Sequence, residues 1–233
     1  MTIDDVLKKV PELKEYIQTM PDDIRQRCVV KVHPPGYIIH QKDAPLDYFG
    51  IVASGEHRVI NEFENGNVFM IERNEPIDFI GEVTILAEKP RTSVTIETTT
   101  ESTIIYMSRK DFEYWISRDI HFLRLVSRKV AFKLYRSSYN RGAKLFYPPH
   151  FLLLDFLTRY ANANGIRQKG QITVPLTRQE LYEEIGVTVK TINRTIARLK
   201  DDGIIKLEKG KITMTLEQYE KAGKYVSPFS ILE

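Results

Sequence analysis

The sequence predicts an α+β chain: an N-terminal antiparallel β-roll of the jelly-roll kind, one long helix, and a C-terminal winged helix-turn-helix. Three observations predict it. Seven short runs rich in β-branched and aromatic residues lie between residues 29 and 106, separated by turn residues. An apolar stripe steps by threes and fours through residues 119–141. Two short helical patterns flank Gly186, and a glycine-turned hairpin follows them. The expected division is 1–118 for the roll, 119–141 for the long helix and 142–233 for the C-terminal domain. A 42% apolar share is enough for real cores in a chain of 233 residues.

The chain opens on an amphipathic helix from Ile3 to about Tyr16, with a second short helix near residues 22–28. Strands are expected at 29–32, 37–40, 48–52, 57–60, 68–71, 93–96 and 102–106, with turns at Pro34-Pro35-Gly36, Ser54-Gly55 and Asn65-Gly66. A roll of about 100 residues can hold a small ligand. Residues 78–93 break the strand pattern and read as one helical turn inserted between strands. Gly81 removes a side chain at its start, so a ligand can approach the backbone where unpaired N–H groups favour an anion. Glu82 can accept from sugar hydroxyls, Arg91 offers a rigid fork to phosphate, and Thr92 adds a hydroxyl. Together they suit a nucleotide with an anionic phosphate and a free ribose hydroxyl. The same spacing also allows Glu82 and Arg91 simply to pair with each other.

In the long helix Ile120, Leu123, Ser127, Val130, Leu134 and Ser137 form a heptad-like stripe suited to the same helix of a second copy. Phe122, Val126 and Phe132 lie off this stripe and are expected to pack on the roll. The alternative is that both stripes pack on the helix's own domain.

The C-terminal domain carries the sharpest pattern. Thr177 and Glu180 make a capping box, Leu181 and Ile185 form a buried seam, and Gly186 supplies the tight turn. Thr188 caps a second helix with Ile192, Thr195, Ile196 and Leu199 on one face. Lys190, Arg194 and Arg198 recur on another face, with Thr191 and Asn193 nearby, and no acid lies between Thr188 and Lys200. A helix-turn-helix lays such a helix in the major groove of DNA, where an arginine such as Arg194 can donate to guanine O6 and N7 together. Residues 204–207 and 211–214 read as strands joined at Glu208-Lys209-Gly210, a wing whose Lys206, Lys209 and Lys211 can lie along phosphates.

Charge placement agrees. Residues 142–233 hold 14 Lys+Arg against 10 Asp+Glu, and the rest of the chain 20 against 21. Cys28 is the only cysteine, which rules out an internal disulfide and four-thiolate iron–sulfur or zinc sites. His33, His40, His57, His121 and His150 show no ligand spacing, so no metal is expected. The opening MTIDDVLKK has acids where a signal peptide has basic residues, and no apolar run reaches membrane-span length. The chain is expected to be cytoplasmic with no membrane partner. There is no P-loop, nucleophile elbow or His-Glu metal motif, and Thr158, Asp155 and His150 on one helix form no triad, so an enzyme is not expected.

The residues carrying these readings resemble the CRP/FNR family of bacterial transcription regulators over roughly residues 25–214. The matching stretches are Ile39-His40-Gln41, residues 48–55, Asp78-Phe79-Ile80-Gly81-Glu82 through Arg91-Thr92, and Thr177-Arg178-Gln179-Glu180. The resemblance implies a homodimer acting on DNA and on RNA polymerase, controlled by a cyclic nucleotide. It implies a phosphate-binding cassette of Gly81, Glu82, Val83, Arg91 and Thr92, with Glu82 on the ribose 2′-hydroxyl and Arg91 and Thr92 on the cyclic phosphate. Ser137 and Ser138 fall where the family contacts the purine. The implied DNA contacts are Arg178, Gln179, Thr188, Val189, Lys190, Thr191, Arg194 and Arg198. The family pattern puts an arginine and then a glutamate after the cap of the recognition helix. Here those positions hold Val189 and Lys190, so the family's best-known half-site is not the expected operator. Val189 can touch a thymine methyl, and Lys190 can reach guanine or phosphate. A dimer must hold two such helices roughly 34 Å apart, with a hinge expected near Asn140-Arg141-Gly142. The tail 215–233 extends past the family core, and Thr215 with Gln218 reads as the cap of one more helix.

Overall fold

A computed structural model describes residues 1–64 and 68–226; the turn read at Asn65-Gly66 and the end of the tail, residues 227–233, lie outside them. The chain divides into two compact units, Met1–Ser138 and Tyr139–Glu233.

The first unit opens with α1 (Ile3–Lys9), whose N-cap Thr2 exchanges hydrogen bonds with Asp5. The single helix expected to reach Tyr16 is interrupted. Pro11 has no N–H to continue α1, and the chain proceeds as a 3-10 turn (Pro11–Leu13) and α2 (Lys14–Ile17). Then come α3 (Asp22–Arg27), β1 (Val29–His33), β2 (Ile38–His40), β3 (Tyr48–Ser54), β4 (His57–Glu62), β5 (Val68–Asn74) and β6 (Asp78–Ile80). After α4 (Glu82–Leu86) follow β7 (Thr95–Thr98), β8 (Ser102–Ser108), α5 (Arg109–Ile116) and α6 (Ile120–Phe146).

The strands form two antiparallel sheets, β1-β8-β3-β6 and β2-β7-β4-β5. In the first, strands β3, β6 and β8 are buried on both faces, while the edge strand β1 is largely exposed. Phe49, Ile51 and Phe79 join α1–α3, α5 and α6 in one core, whereas Val52, Ile80 and Ile104 face Val59 and Ile96 of the second sheet in another. This two-sided burial explains a correction. Residues 78–80, expected as part of a helical turn, are a strand paired with β3, Gly50 opposite Ile80 and Val52 opposite Asp78. A strand sends successive side chains to opposite faces, so Phe79 and Ile80 each reach a different core. Only Glu82–Leu86 is helical.

On α6, Phe122 and Val126 are fully buried against the roll, as expected, and Trp115 stacks on Phe122 with centroids 3.6 Å apart. Phe132 does not join them. It is 58% exposed. The inward line runs from Phe122 and Val126 to Lys129 and Lys133, and Phe132 stands one residue before Lys133, roughly 100° around the helix. Helix α6 ends at Phe146.

The second unit contains α7 (Pro149–Ala163), α8 (Ile166–Lys169), β9 (Gln171–Val174), α9 (Arg178–Ile185), α10 (Val189–Asp201), β10 (Lys206–Glu208), β11 (Lys211–Thr215) and α11 (Leu216–Val226). Strand β9, not read from the sequence, pairs with β11 and completes a three-stranded sheet β10-β11-β9. The wing begins at Lys206 rather than Ile204, because Ile204 and Ile205 are buried in the core with α7, α9 and α10. Its turn is the pair Lys209-Gly210, both at positive φ, since Glu208 pairs with Lys211. Thr215 and Gln218 exchange hydrogen bonds at the start of α11. No helix among the described residues is long and apolar enough to cross a membrane.

Candidate effector cavity and nucleic-acid interface

Leaving β6, the chain turns at Gly81 with φ +93°. A Cβ there would lie 3.0 Å from the Tyr48 carbonyl oxygen, so only glycine fits the turn. The turn delivers Glu82 into the roll, where it is 2% exposed. Its carboxylate accepts from Lys133 of α6 at 2.7 Å. The same ammonium lies 2.9 Å from Asp78, and Asp78 lies 3.4 Å from His57 Nε2. Asp78 and His57 are 3% and 1% exposed. One helix turn further on, Arg136 donates to Glu72 at 2.6 Å and to Asn74 at 2.5 Å. Burial pushes the Glu82 carboxyl above the ordinary carboxylate range, against the pull of Lys133. Burial alone would lower the Lys133 ammonium, but Glu82 and Asp78 outweigh it and hold that ammonium above its ordinary value.

This cluster forms part of the wall of a cavity of about 310 Å³. Of the sequence-read effector residues, Gly81, Glu82, Val83 and Ser137 line it. So do His40, Thr84, Ser93, Lys133 and Leu134, which the sequence reading did not single out as ligand contacts. Lys133 had a signal: it lies one turn before Ser137. Arg91 and Thr92 are placed differently. Arg91 is exposed and donates to the Asp43 carbonyl at 2.5 Å. Thr92 is buried with its hydroxyl donating to the Gln41 carbonyl at 2.7 Å. Neither lines the cavity. Glu82 and Arg91 do not pair with each other; Glu82 takes Lys133 instead. Ser138 is exposed at the end of the first unit. Of the stripe on α6, Ile120 is 71% and Leu134 67% exposed, Leu123 and Ser127 are exposed, and Val130 and Ser137 are half-buried. Val130 packs toward the roll core.

In the second unit Thr177 accepts from the Glu180 amide at 3.1 Å, and the Glu180 side chain accepts from the Thr177 amide at 2.6 Å. Gly186, at φ +80°, ends α9, and Thr188 caps α10 through the Thr191 amide at 3.3 Å. Ile192, Thr195, Ile196 and Leu199 are buried. Lys190, Asn193, Arg194, Arg198 and Lys200 are exposed, and Val189 and Thr191 half-buried. Arg198 lies 3.8 Å from Asp202. Arg178 reaches the wing and donates to the Gly210 carbonyl at 3.3 Å, and Gln179 is exposed beside it. The result is a helix with one face anchored in a core and a cationic face open to a polyanion.

A β-roll followed in the chain by a winged helix-turn-helix defines a transcription regulator rather than an enzyme. Residues 30–119 match the cyclic nucleotide-binding domain, and residues 150–220 the Crp-like helix-turn-helix domain. The chain belongs to the CRP/FNR family. It is 26% identical over 177 residues to the CRP-like cAMP-activated global transcriptional regulator of Mycobacterium tuberculosis, covering 75% of this chain and 79% of that one. It is 26% identical over 187 residues to the cAMP-activated global transcriptional regulator CRP of Salmonella typhimurium, covering 76% and 85%. Its fold is shared with the c-di-GMP-responsive global regulator CLP of Xanthomonas campestris, at TM-score 0.71 and 14% identity over 82% of this chain and 95% of that one.

Proposed function

We propose that the chain acts as a homodimer that binds operator DNA through α10 and is controlled by a cyclic nucleotide held in the roll cavity. The carrying observation is the split of α10 into a buried apolar face and an exposed face of Lys190, Arg194 and Arg198. Arg194 reads a base, while Arg178, Gln179, Thr188, Val189, Lys190, Thr191 and Arg198 position the helix on bases and phosphates. The exposed stripe with Ile120, Leu123, Ser127 and Leu134 supplies the dimer seam, with Val130 and Ser137 at its edge. A site of action in the cytoplasm, with RNA polymerase as the downstream partner, follows from DNA as target.

For the effector, the cavity behind Gly81 offers the buried Glu82 carboxylate, Val83 and Ser137, and the domain match points to a cyclic nucleotide. Arg91 is held by a hydrogen bond to Asp43 and can turn toward a cyclic phosphate, with Thr92 beside it and Ser138 next to Ser137. A ligand controls the protein only by binding one arrangement better than another. A second reading, an effector other than a cyclic nucleotide or no effector, draws on the placement of Arg91 and Thr92 outside the cavity lining. Selection of bound DNA from a random pool, with and without cyclic AMP, tests the whole proposal. A defined operator enriched only with cyclic AMP supports it. An operator enriched equally without it favours the second reading, and no enrichment in either arm refutes the DNA-binding role. Calorimetry with cyclic AMP and cyclic GMP on the wild type and on Arg91→Ala tests the cassette; unchanged affinity in the variant removes Arg91 from it.

A further inference from the structure

The open side of α10 carries an amide as well as cations. Counting from Lys190, residues Asn193, Arg194 and Ala197 stand at i+3, i+4 and i+7, so the four share the side turned away from the buried Ile192, Thr195, Ile196 and Leu199. All four are exposed. Ala197 has only a methyl near the middle of that side, which lets the helix backbone come close to base edges.

The other uncharged polar side chains nearby are already engaged. Thr188 accepts from the Thr191 amide at 3.3 Å, and the two hydroxyls lie 3.0 Å apart. Thr195 is buried. On α9, Gln179 donates to Glu183 at 3.4 Å. Asn193, like Lys190 and Arg194, has no hydrogen-bond or ionic partner among the described residues. Asparagine is a poorer helix former than alanine, and here neither a cap nor a side-chain bond offsets that. An exposed, unbonded amide in mid-helix adds nothing to the fold and is free for a contact outside it.

A side-chain amide holds a donor and an acceptor side by side. In the major groove adenine presents the complementary pair, an N6 donor beside the N7 acceptor, whereas guanine presents two acceptors. Arg194, which has donors only, suits guanine. Consecutive residues diverge by about 100° and are offset by about 1.5 Å along the helix, so Asn193 and Arg194 address neighbouring base pairs rather than the same one.

We propose that Asn193 is a second reading residue, taking adenine N6 and N7 beside the guanine of Arg194, so that each half-site holds an A·T pair next to a G·C pair. This rests on the DNA-binding role proposed above for α10. Selection from a random DNA pool by the full-length protein, Asn193→Ala and Asn193→Asp, with and without cyclic AMP, tests it, followed by titration on the four versions of the affected base pair. The wild type is expected to prefer adenine there by about tenfold or more. Asn193→Ala is expected to keep the rest of the half-site and lose that one preference. Alanine is the better helix former, so the loss is not one of folding. Asn193→Asp, an acceptor only, is expected to shift the preference toward cytosine, whose N4 donates. A wild-type operator without adenine beside guanine, or Asn193→Ala with the wild-type preference at every position, overturns the assignment while DNA binding stands. No operator in any arm removes the DNA-binding role, and the assignment with it.

Discussion

Lys133→Met removes the one ammonium that faces two buried carboxylates. Asp78 keeps His57 at 3.4 Å, but Glu82, 2% exposed, loses the cation 2.7 Å away. Deleting one partner of a buried pair strands the other charge and costs about 3–5 kcal/mol. For a unit of this size that lowers the melting temperature by roughly 10 °C. The sign of the pH dependence follows from Glu82. Burial already raises its folded pKa above the ordinary 4.5, and loss of Lys133 raises it further. A carboxyl whose folded pKa is raised is harmless while protonated, and it destabilises the fold as pH climbs through that pKa. The deficit of the variant relative to wild type is therefore largest at pH 7–8 and shrinks as pH falls toward 4.5. Adding Glu82→Gln at pH 7 should recover most of the loss, because the stranded charge is gone. Urea unfolding at pH 7 and pH 5 measures this through Trp115, the only tryptophan, which is buried in the same unit. A variant as stable as wild type at pH 7, or a deficit indifferent to both pH and Glu82→Gln, would refute the reasoning.

Other outcomes are accessible to simple assays. Arg194→Ala should weaken operator binding by about 1–3 kcal/mol and relax preference at one base; a footprint and preference identical to wild type contradict a reading role. Leu134→Asp places a carboxylate on the exposed stripe of α6, and sedimentation at micromolar concentration should then find monomer; a surviving dimer puts the seam elsewhere. Gly81→Ala forces a side chain into φ +93° and 3.0 Å from the Tyr48 carbonyl, which should cost about 1–3 kcal/mol in urea unfolding; a neutral result means the turn relaxes. Burial pushes the His40 imidazole down to about 4, so the folded state refuses a proton that the unfolded chain accepts below about 6.5. Stability held above that pH should fall by up to ~3 kcal/mol between pH 6.5 and 4, and His40→Gln should flatten the slope; an unchanged slope removes His40 from the account.

How much of this was legible depended on the range of the interaction. The capping box at Thr177, the N-cap at Thr188, the glycine turn and the two faces of α10 were readable because each involves residues within a turn or two of one another. Most strands of the roll were readable from β-branched runs between turns. Strand β6 was not, because Phe79-Ile80 is too short to show a period and is strand-like only because separate cores take its two faces. Strand β9 escaped for a similar reason, being four residues whose partner is β11. Phe132 looked like core because apolar residues usually are; its exposure follows from the direction in which α6 lies on the roll.

What the sequence by itself determined is the class of molecule: a roll, a long helix and a cationic recognition helix, since local backbone preferences and side-chain periodicity specify each of them. What only the tertiary structure decided is which charges meet. Glu82 takes Lys133, 51 residues away, rather than Arg91, and Arg136 takes Glu72. Such pairs form because packing α6 on the roll removes water from both partners at once, and no spacing along the chain records which distant side chain will be there to replace it.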